Sequence, residues 1–426
     1  MELVWNAVFL LTVLPAVAPA PPGSVVFRHV TVIDATGAPA RHDMDVVLRG
    51  GRIAALDSAG RTVIPSGARS IDAAGKFLIP GLWDLHGHLT DATDAAFPLL
   101  VMNGITGVRD LGGELATIDR WRGEIARGTR LGPRILRAGP FVDGPKPGVA
   151  HRLTVTSPDG ARRAVDSLKT LGVDLIKVHN ALPRDAFFAL LDEARRQRLP
   201  VAVHLPHGVS SAEASDSGAA SLEHIETLVE SALYRTGATA KTMEQALTES
   251  SGAAGDSLFA RFARNGTWYV PTLVAYYRGF TLWGDRPAAV AARRAVFQRF
   301  LGITLAMHHA GVRILAGSDF TEFGVGILAG IDLHQELAFL VEAGLTPMEA
   351  IQAATLKPAV FLGVQDSLGT IAPGKIADLV LLDGDPLDNI NNTRLIDTVV
   401  IGGRLVPVAS MRARIAAANA EPRAKR

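Results

Sequence analysis

Two histidines separated by one glycine, His86-Gly87-His88, close an apolar, strand-like run that begins at Lys76 and passes through Phe77-Leu78-Ile79-Pro80-Gly81-Leu82. In a strand, residues i and i+2 project from one face, so both imidazoles can reach a single metal ion, and the glycine between them adds no bulk. Such a pair is weak evidence alone, because short histidine pairs also occur in solvated loops. It gains weight from what ends the later β-branched runs: Lys177 in DLIKV, His204 in VAVH, His224 in SLEH and Asp319 in RILAGSD. The chain has no cysteine, which excludes a disulfide framework, a thiolate metal site and a cysteine nucleophile. A transition metal must then be held by His, carboxylates or a modified Lys.

These side chains need a scaffold that brings strand ends together. Residues 81 to 365 alternate short β-branched runs with amphipathic stretches, the pattern of βαβ units and a parallel sheet. Strands are expected to end near His88, Asp110, Gly139, Lys177, His204, His224, Pro271 and Asp319. Eight is the count of a closed (β/α)8 TIM barrel, whose chemistry gathers at the C-terminal ends of the strands. Helices are expected over 158–171, 184–198, 210–218, 287–310, 331–343 and 347–356, the last starting at Pro347 after a Thr346 cap. The fold class is therefore α/β, with 81–365 as the barrel. Alternating strands separated by Gly, Asp and Ala turns fill Ser24 to Pro80, and the same texture returns near the C-terminus. Residues 21–80 and 366–409 are accordingly expected to form one discontinuous β-sandwich across the inserted barrel.

The 426 residues suit such a barrel with a smaller unit attached. Hydrophobic residues make up 48%, charged ones 20%, and the formal net charge is +1, so no basic field marks a nucleic-acid partner. A small-molecule substrate is the expected partner. Residues 1–20, MELVWNAVFLLTVLPAVAPA, resemble a secretory signal peptide, although the segment carries Glu2, lacks Lys and Arg, and is followed by Pro21. An exported, periplasmic or secreted protein is expected, cytoplasmic only if that leader is not one. No membrane association beyond the leader is expected.

The motifs FLIPGLWDLHGH, GITGVRDLGG, GVDLIKV, SLEHIE, WYVPTL, ILAGSD, ELAFLVEAGLTPMEAIQAAT and GTIAPGKIADLVLLDGDPL together resemble the amidohydrolase superfamily. The likeness is to its metal-dependent hydrolases of the prolidase, Xaa-Arg dipeptidase and imidazolonepropionase-related group. The resemblance implies a site for two divalent metal ions, with His86, His88 and Asp319 on the more buried one and His204 and His224 on the second. Lys177 would bridge them as a carbamate formed with carbon dioxide. Zinc is the default for an imidazole-rich, oxygen-completed set. The implied reaction is hydrolysis of an amide bond, in a dipeptide or small N-acyl amino acid, through a metal-bridging hydroxide. Asp319 would be both ligand and catalytic proton shuttle. A mononuclear cyclic amidase or deaminase of the imidazolonepropionase type is the alternative. Such deaminases generally lack the strand-four lysine and carry a Glu soon after the strand-five His, where this chain has Lys177 and Pro206-His207. A barrel that has lost its metals is a third possibility, set against the retention of all six ligand positions. Related enzymes commonly form homo-oligomers, and the same is expected here.

Substrate-binding candidates are His179, two residues beyond Lys177, and His151 and Arg152, which could bind a carboxylate through charge-assisted bonds. Tyr269, on a barrel strand, is another, while Tyr276 and Tyr277 fall in the loop beyond it and are read as packing. Arg109 and Asp110 are expected to form a salt bridge that orients the ligands. His308 and His309 read as surface, His207 has no assigned role, and residues 225–265 are a long connection suited to a lid or an assembly surface.

Overall fold

Apolar runs buried on both faces form parallel strands, because helices cover each side of such a sheet. All six residues of Leu82–Gly87 and all six of Ile105–Asp110 are buried. The computed structural model describes residues 23–146, 150–229, 246–248, 250–281, 287–321 and 328–413. The expected leader, 1–20, and residues 230–245 and 249 of the long connection lie outside the described residues.

Leu82–Gly87, Ile105–Asp110 and Arg134–Arg137 make a three-stranded parallel sheet. Phe141–Asp143, Ile176–Val178, Val201–Val203, Ser221–Glu223, Trp268–Val270 and Arg313–Ile314 follow in a seven-stranded parallel sheet, with Arg152–Thr154 on its outer edge. The third expected strand is thus broken where Gly139 takes φ +69°, a value glycine adopts without strain, and resumes at Phe141. Two sets of hydrogen bonds join the sheets. Asp174 N donates to Arg137 O at 3.0 Å on one side; on the other, Leu85 N donates to Ala316 O at 3.0 Å and His88 N to Phe320 O at 3.0 Å. The result is a mixed α/β fold with parallel sheets, like a TIM barrel.

Helices occupy the crossovers, starting where the capping residues stand. Pro158–Thr170 begins at Ser157, whose Oγ accepts from Gly160 N. Ser211–Asp216 and Pro347–Ala353 each begin with a capping box, Ser210 with Glu213 and Thr346 with Glu349. Arg184–Gln197, Pro287–His309 and Ile331–Glu342 match their expected spans within a residue. The helix expected over 347–356 instead stops at Ala353, and a second one covers Leu356–Phe361. Tyr276 and Tyr277 belong to a helix, Leu273–Thr281, rather than a loop; Tyr276 packs edge-on against Phe300, and Tyr277 packs against Phe297 and Phe339. Among the described residues no helix is long and apolar enough to cross a membrane.

Both ends of the chain meet in one mixed eight-stranded sheet. Phe77–Pro80 pairs antiparallel with Leu379–Leu382, placing Ile79 beside Val380 and Leu78 beside Leu381. Alternation then splits these strands between two cores. Leu78, Leu379 and Leu381 join Phe27, Val46 and Leu48 in a core belonging to this sheet, whereas Ile79, Val380 and Leu382 join Phe97 and Leu100 in the main core. A buried ion pair, Arg134 Nε to Asp378 Oδ2 at 2.9 Å, pins the third parallel strand to the same sheet. Gly81 is the joint between the sheet and the strand that carries His86, and any Cβ there would collide with Thr106.

His334 ties the helix Ile331–Glu342 to both ends of the fold. Its Nδ1 bonds to Thr393 Oγ1 at 2.9 Å and its Nε2 to Asn103 O at 3.1 Å. Burial, with Arg394 acting in the same direction, pushes its pKa down to about 4. Between about pH 6.5 and that value the unfolded chain binds a proton that the folded chain refuses, so this contribution to stability is lost as the pH falls. Compared with a His334→Gln variant by urea unfolding, the wild-type protein is expected to lose up to about 3 kcal/mol of relative stability between pH 7 and pH 4. A difference that stays constant with pH would contradict this.

Candidate metal centre

Six side chains singled out by the sequence come from five separate strand ends, and five of them make a continuous contact set. Asp319 Oδ1 lies 3.1 Å from His88 Nε2 and 3.3 Å from His86 Nε2, and its Oδ2 is 3.9 Å from His224 Nδ1. Lys177 Nζ is 3.3 Å from His86 Nε2. His86, His224 and Asp319 offer one donor atom each, all within 4.8 Å of one another. His204 extends the group, its ring centroid 4.9 Å from that of His224.

Local backbone geometry explains how the side chains converge. Gly87 packs directly under the Phe320 ring and leaves no room for a Cβ, which locks strand one to the segment bearing Asp319. Asp84, buried one turn of the pleat before His86, accepts from Ser318 N at 2.9 Å and Ser318 Oγ at 2.5 Å, and Asp319 N donates to His86 O at 2.7 Å. Asp319 and His224 both take left-handed backbone, at φ +59° and +67°. That conformation is costly for residues with a Cβ and persists only where surroundings enforce it. For His224 they do: its N–H donates to Val270 O at 2.8 Å, its carbonyl accepts from Tyr269 Oη at 2.9 Å, and its Nδ1 meets Thr272 Oγ1 at 2.9 Å.

Behind His86 stands a buried network the sequence reading missed. Glu223 Oε2 is 2.9 Å from His86 Nδ1. Arg109 Nη2 donates to both Glu223 oxygens at 2.8 Å, its Nη1 donates to Ser221 Oγ at 2.9 Å, and its Nε donates to Leu85 O. Arg109 therefore pairs with Glu223 and not with Asp110, which instead accepts from Leu89 N at 2.8 Å. Glu223, an acceptor paired with Arg109, accepts the hydrogen bond from His86 Nδ1–H and leaves the Nε2 lone pair facing Asp319 and Lys177, the arrangement by which a carboxylate fixes an imidazole's tautomer.

Burial sets the charge states. It holds the pKa of His86, His204 and His224 well below the usual imidazole range, with neighbouring cationic groups adding to the effect. Burial opposes the imidazolium of His88 as well, but the Asp319 carboxylate prevails and raises its pKa. Lys177 is pushed down to about 8 by burial, against the pull of Glu223 and Asp319. Neutral imidazoles and a readily deprotonated amine are the forms that donate lone pairs to a metal.

The substrate-binding candidates fare differently. His179 reaches the centre, with its ring 4.5 Å from that of His204. Arg152 is turned into its own loop, donating to Gly144 O at 3.1 Å and to Lys146 O, with Asp143 Oδ2 at 4.0 Å. His151 is half-buried beside it at φ +53°, and its carbonyl accepts from Phe141 N. Tyr269 is fully enclosed and spends its hydroxyl on the His224 carbonyl, so it props a residue of the candidate centre instead of lining a pocket. His207 is exposed, and His308 pairs with Glu349 at 3.1 Å on the outer helix.

Parallel strands thus deliver imidazoles, a carboxylate and a lysine to one end of an α/β scaffold, and three of these groups could hold a metal ion. The sequence profile of the Amidohydrolase family matches residues 77–406, and the chain belongs to that family of enzymes. Ochratoxinase of Aspergillus niger is 25% identical over 396 residues, covering 77% of this chain and 75% of its own length. The structure of a putative prolidase from Bifidobacterium longum is similar with a TM-score of 0.71 at 26% identity, covering 93% of this chain and 99% of that one. Bottromycin amidohydrolase is similar with a TM-score of 0.73 at 25% identity, over 93% and 91% of the two chains.

The Arg109 network has a measurable consequence. Arg109→Met keeps volume but strands the Glu223 carboxylate, and breaking a buried pair this way costs about 3–5 kcal/mol. Urea unfolding should register that loss, and metal content should fall with it; a variant as stable as the wild type would show Glu223 to be solvated.

Proposed function

We propose that this enzyme is a binuclear metal-dependent amidohydrolase that cleaves an amide bond of a dipeptide or small N-acyl amino acid. The observation that carries the reading is Lys177, a buried amine 3.3 Å from the ligand-facing nitrogen of His86 in a cluster of imidazoles. An ammonium ion cannot be a ligand there. With a pKa near 8, an appreciable fraction is neutral amine, which can add to carbon dioxide, releasing a proton and leaving an anionic carbamate. Both ring nitrogens of half-buried His204 are enclosed, and neither has a hydrogen-bond partner among the described residues, as a nitrogen intended for a metal would be left. Four imidazoles, one carboxylate and one carbamate suit two zinc-like cations, with His86, His88 and Asp319 on one side and His204 and His224 on the other.

A bound cation pair supplies Lewis-acid polarisation of the substrate carbonyl and water acidified to near neutrality. The chain's own groups do the rest. Glu223 holds the tautomer of His86, and Asp84 with Ser318 fixes the turn that presents Asp319. The Asp319 carboxylate takes the proton released by the attacking water and returns it to the leaving amine nitrogen. Similarity to a putative prolidase and to bottromycin amidohydrolase supports amide chemistry. On the same reading the eight parallel strands close into a barrel over 81–365, with 21–80 and 366–409 as a sandwich beside it. The hydrogen bonds from Leu85 and His88 to the last strand segment support that closure.

Metal analysis of the purified protein is expected to give about two ions per chain, and exhaustive chelation to abolish dipeptide hydrolysis, restored by zinc. One ion per chain would favour the mononuclear alternative. Lys177→Ala should lower metal content and cut kcat/KM by at least about 100-fold, and Asp319→Asn should cut kcat by about 100- to 10,000-fold. Normal turnover in either variant would refute the scheme.

A further inference from the structure

One enclosed carboxylate latches the loops that follow the third and fourth strands. Asp143 is fully buried, and its Oδ1 accepts the backbone N–H groups of Gly144 at 2.9 Å and Ala181 at 2.7 Å. A Cβ on Gly144 would collide with the Ala181 carbonyl, so glycine permits the close approach of the two loops. The other oxygen, Oδ2, accepts no hydrogen bond among the described residues. It faces His179 Nδ1 at 3.5 Å, and that nitrogen is likewise enclosed and unbonded. A buried oxygen and a buried ring nitrogen left unsatisfied are each destabilising. Hydrogen bonds of this kind are often long in ligand-free enzymes and tighten when substrate binds.

The remainder of His179 is open: 29% of its side chain is exposed although Nδ1 is not. Its ring lies between Phe141, at 5.2 Å, and His204, at 4.5 Å. Ring centroids run in sequence from His88 to His86 at 5.5 Å, His224 at 4.5 Å, His204 at 4.9 Å and His179 at 4.5 Å. Asp319 meets the first three rings of that row, His88, His86 and His224, whereas His179 lies against the fourth, His204. The proton returned to the leaving nitrogen belongs at the Asp319 end, which leaves His179 to meet the other side of the substrate, the acyl side.

We infer that Asp143 is a positioning residue that holds His179 with its Nδ1 proton inward and its Nε2 lone pair toward the substrate, where it accepts a hydrogen bond from the free α-amino group of a dipeptide. The recognition step rests on the amidohydrolase reading above, while the positioning of the ring does not. An α-amino group is the donor that a dipeptide has on its acyl side and that its des-amino counterpart lacks.

Two measurements on the full-length, zinc-loaded protein test the inference. In 15N-histidine NMR, the signal that disappears in His179→Phe is expected to be Nδ1-protonated in the wild type and to switch to Nε2-protonated in Asp143→Asn, which keeps an acceptor for the two loop amides. In kinetics, the wild type is expected to prefer alanyl-leucine over propionyl-leucine. That preference, as a ratio of kcat/KM, should fall about 10-fold in His179→Phe and in Asp143→Asn, and no further in the double variant. An Nε2-protonated ring in the wild type overturns the positioning role. An unchanged preference, or an equal loss on both compounds, overturns amine recognition. A zinc-loaded wild type that hydrolyses neither compound refutes the dipeptidase reading and amine recognition together, and the NMR result still decides the role of Asp143.

Discussion

The hydrogen bond between Glu223 and His86 Nδ1 is the interaction on which the centre depends. It is fully buried, and a carboxylate is tolerated there only because Arg109 grips both of its oxygens. Arg109 in turn reaches the backbone of strand one at Leu85 and the side chain of Ser221 on strand six. One guanidinium thus spans three strands and converts its charge into the orientation of a single imidazole. The electrostatic cost of enclosing these charges is met by full pairing, and the return is a ring nitrogen aimed without a rotamer to lose.

Stability and chemistry are coupled here through backbone strain as well as charge. His224 and Asp319 occupy left-handed conformations that isolated residues avoid, and each is held by bonds reaching to a neighbouring strand. Packing that looks structural, such as Tyr269 on the His224 carbonyl or Ser318 on Asp84, is therefore also what aims the reactive groups. The distinction between core and site is a matter of which atom of a residue is considered.

Much of this was legible in the sequence because strand ends and caps are local signals. The His-Gly-His step, the strand ends at Lys177, His204 and His224, and the Ser and Thr caps before the helices all follow from spacing of a few residues. What escaped was non-local. Glu223 sits one residue before His224, and strict alternation would send the two to opposite faces. The left-handed turn at His224 breaks that alternation, so Glu223 can serve His86 while His224 joins the same cluster. Arg109 was sensed as an orienting residue, but its partner lies over a hundred positions away, where no periodicity points. Asp143 was hidden because the third strand resumes after the Gly139 kink, and Tyr269 read as a pocket residue because burial cannot be separated from exposure to a cavity by pattern alone.

The antiparallel pairing of Phe77–Pro80 with Leu379–Leu382 sets an order of assembly. The strand leading into His86 and His88 finds one neighbour, Ser24–Val32, soon after synthesis, but waits for the other until some three hundred further residues have left the ribosome. Loop closure over that distance is slow and entropically costly. Nascent chains consequently carry an unfinished edge next to two histidines of the candidate centre for most of translation, a window in which chaperone protection would favour the correct product.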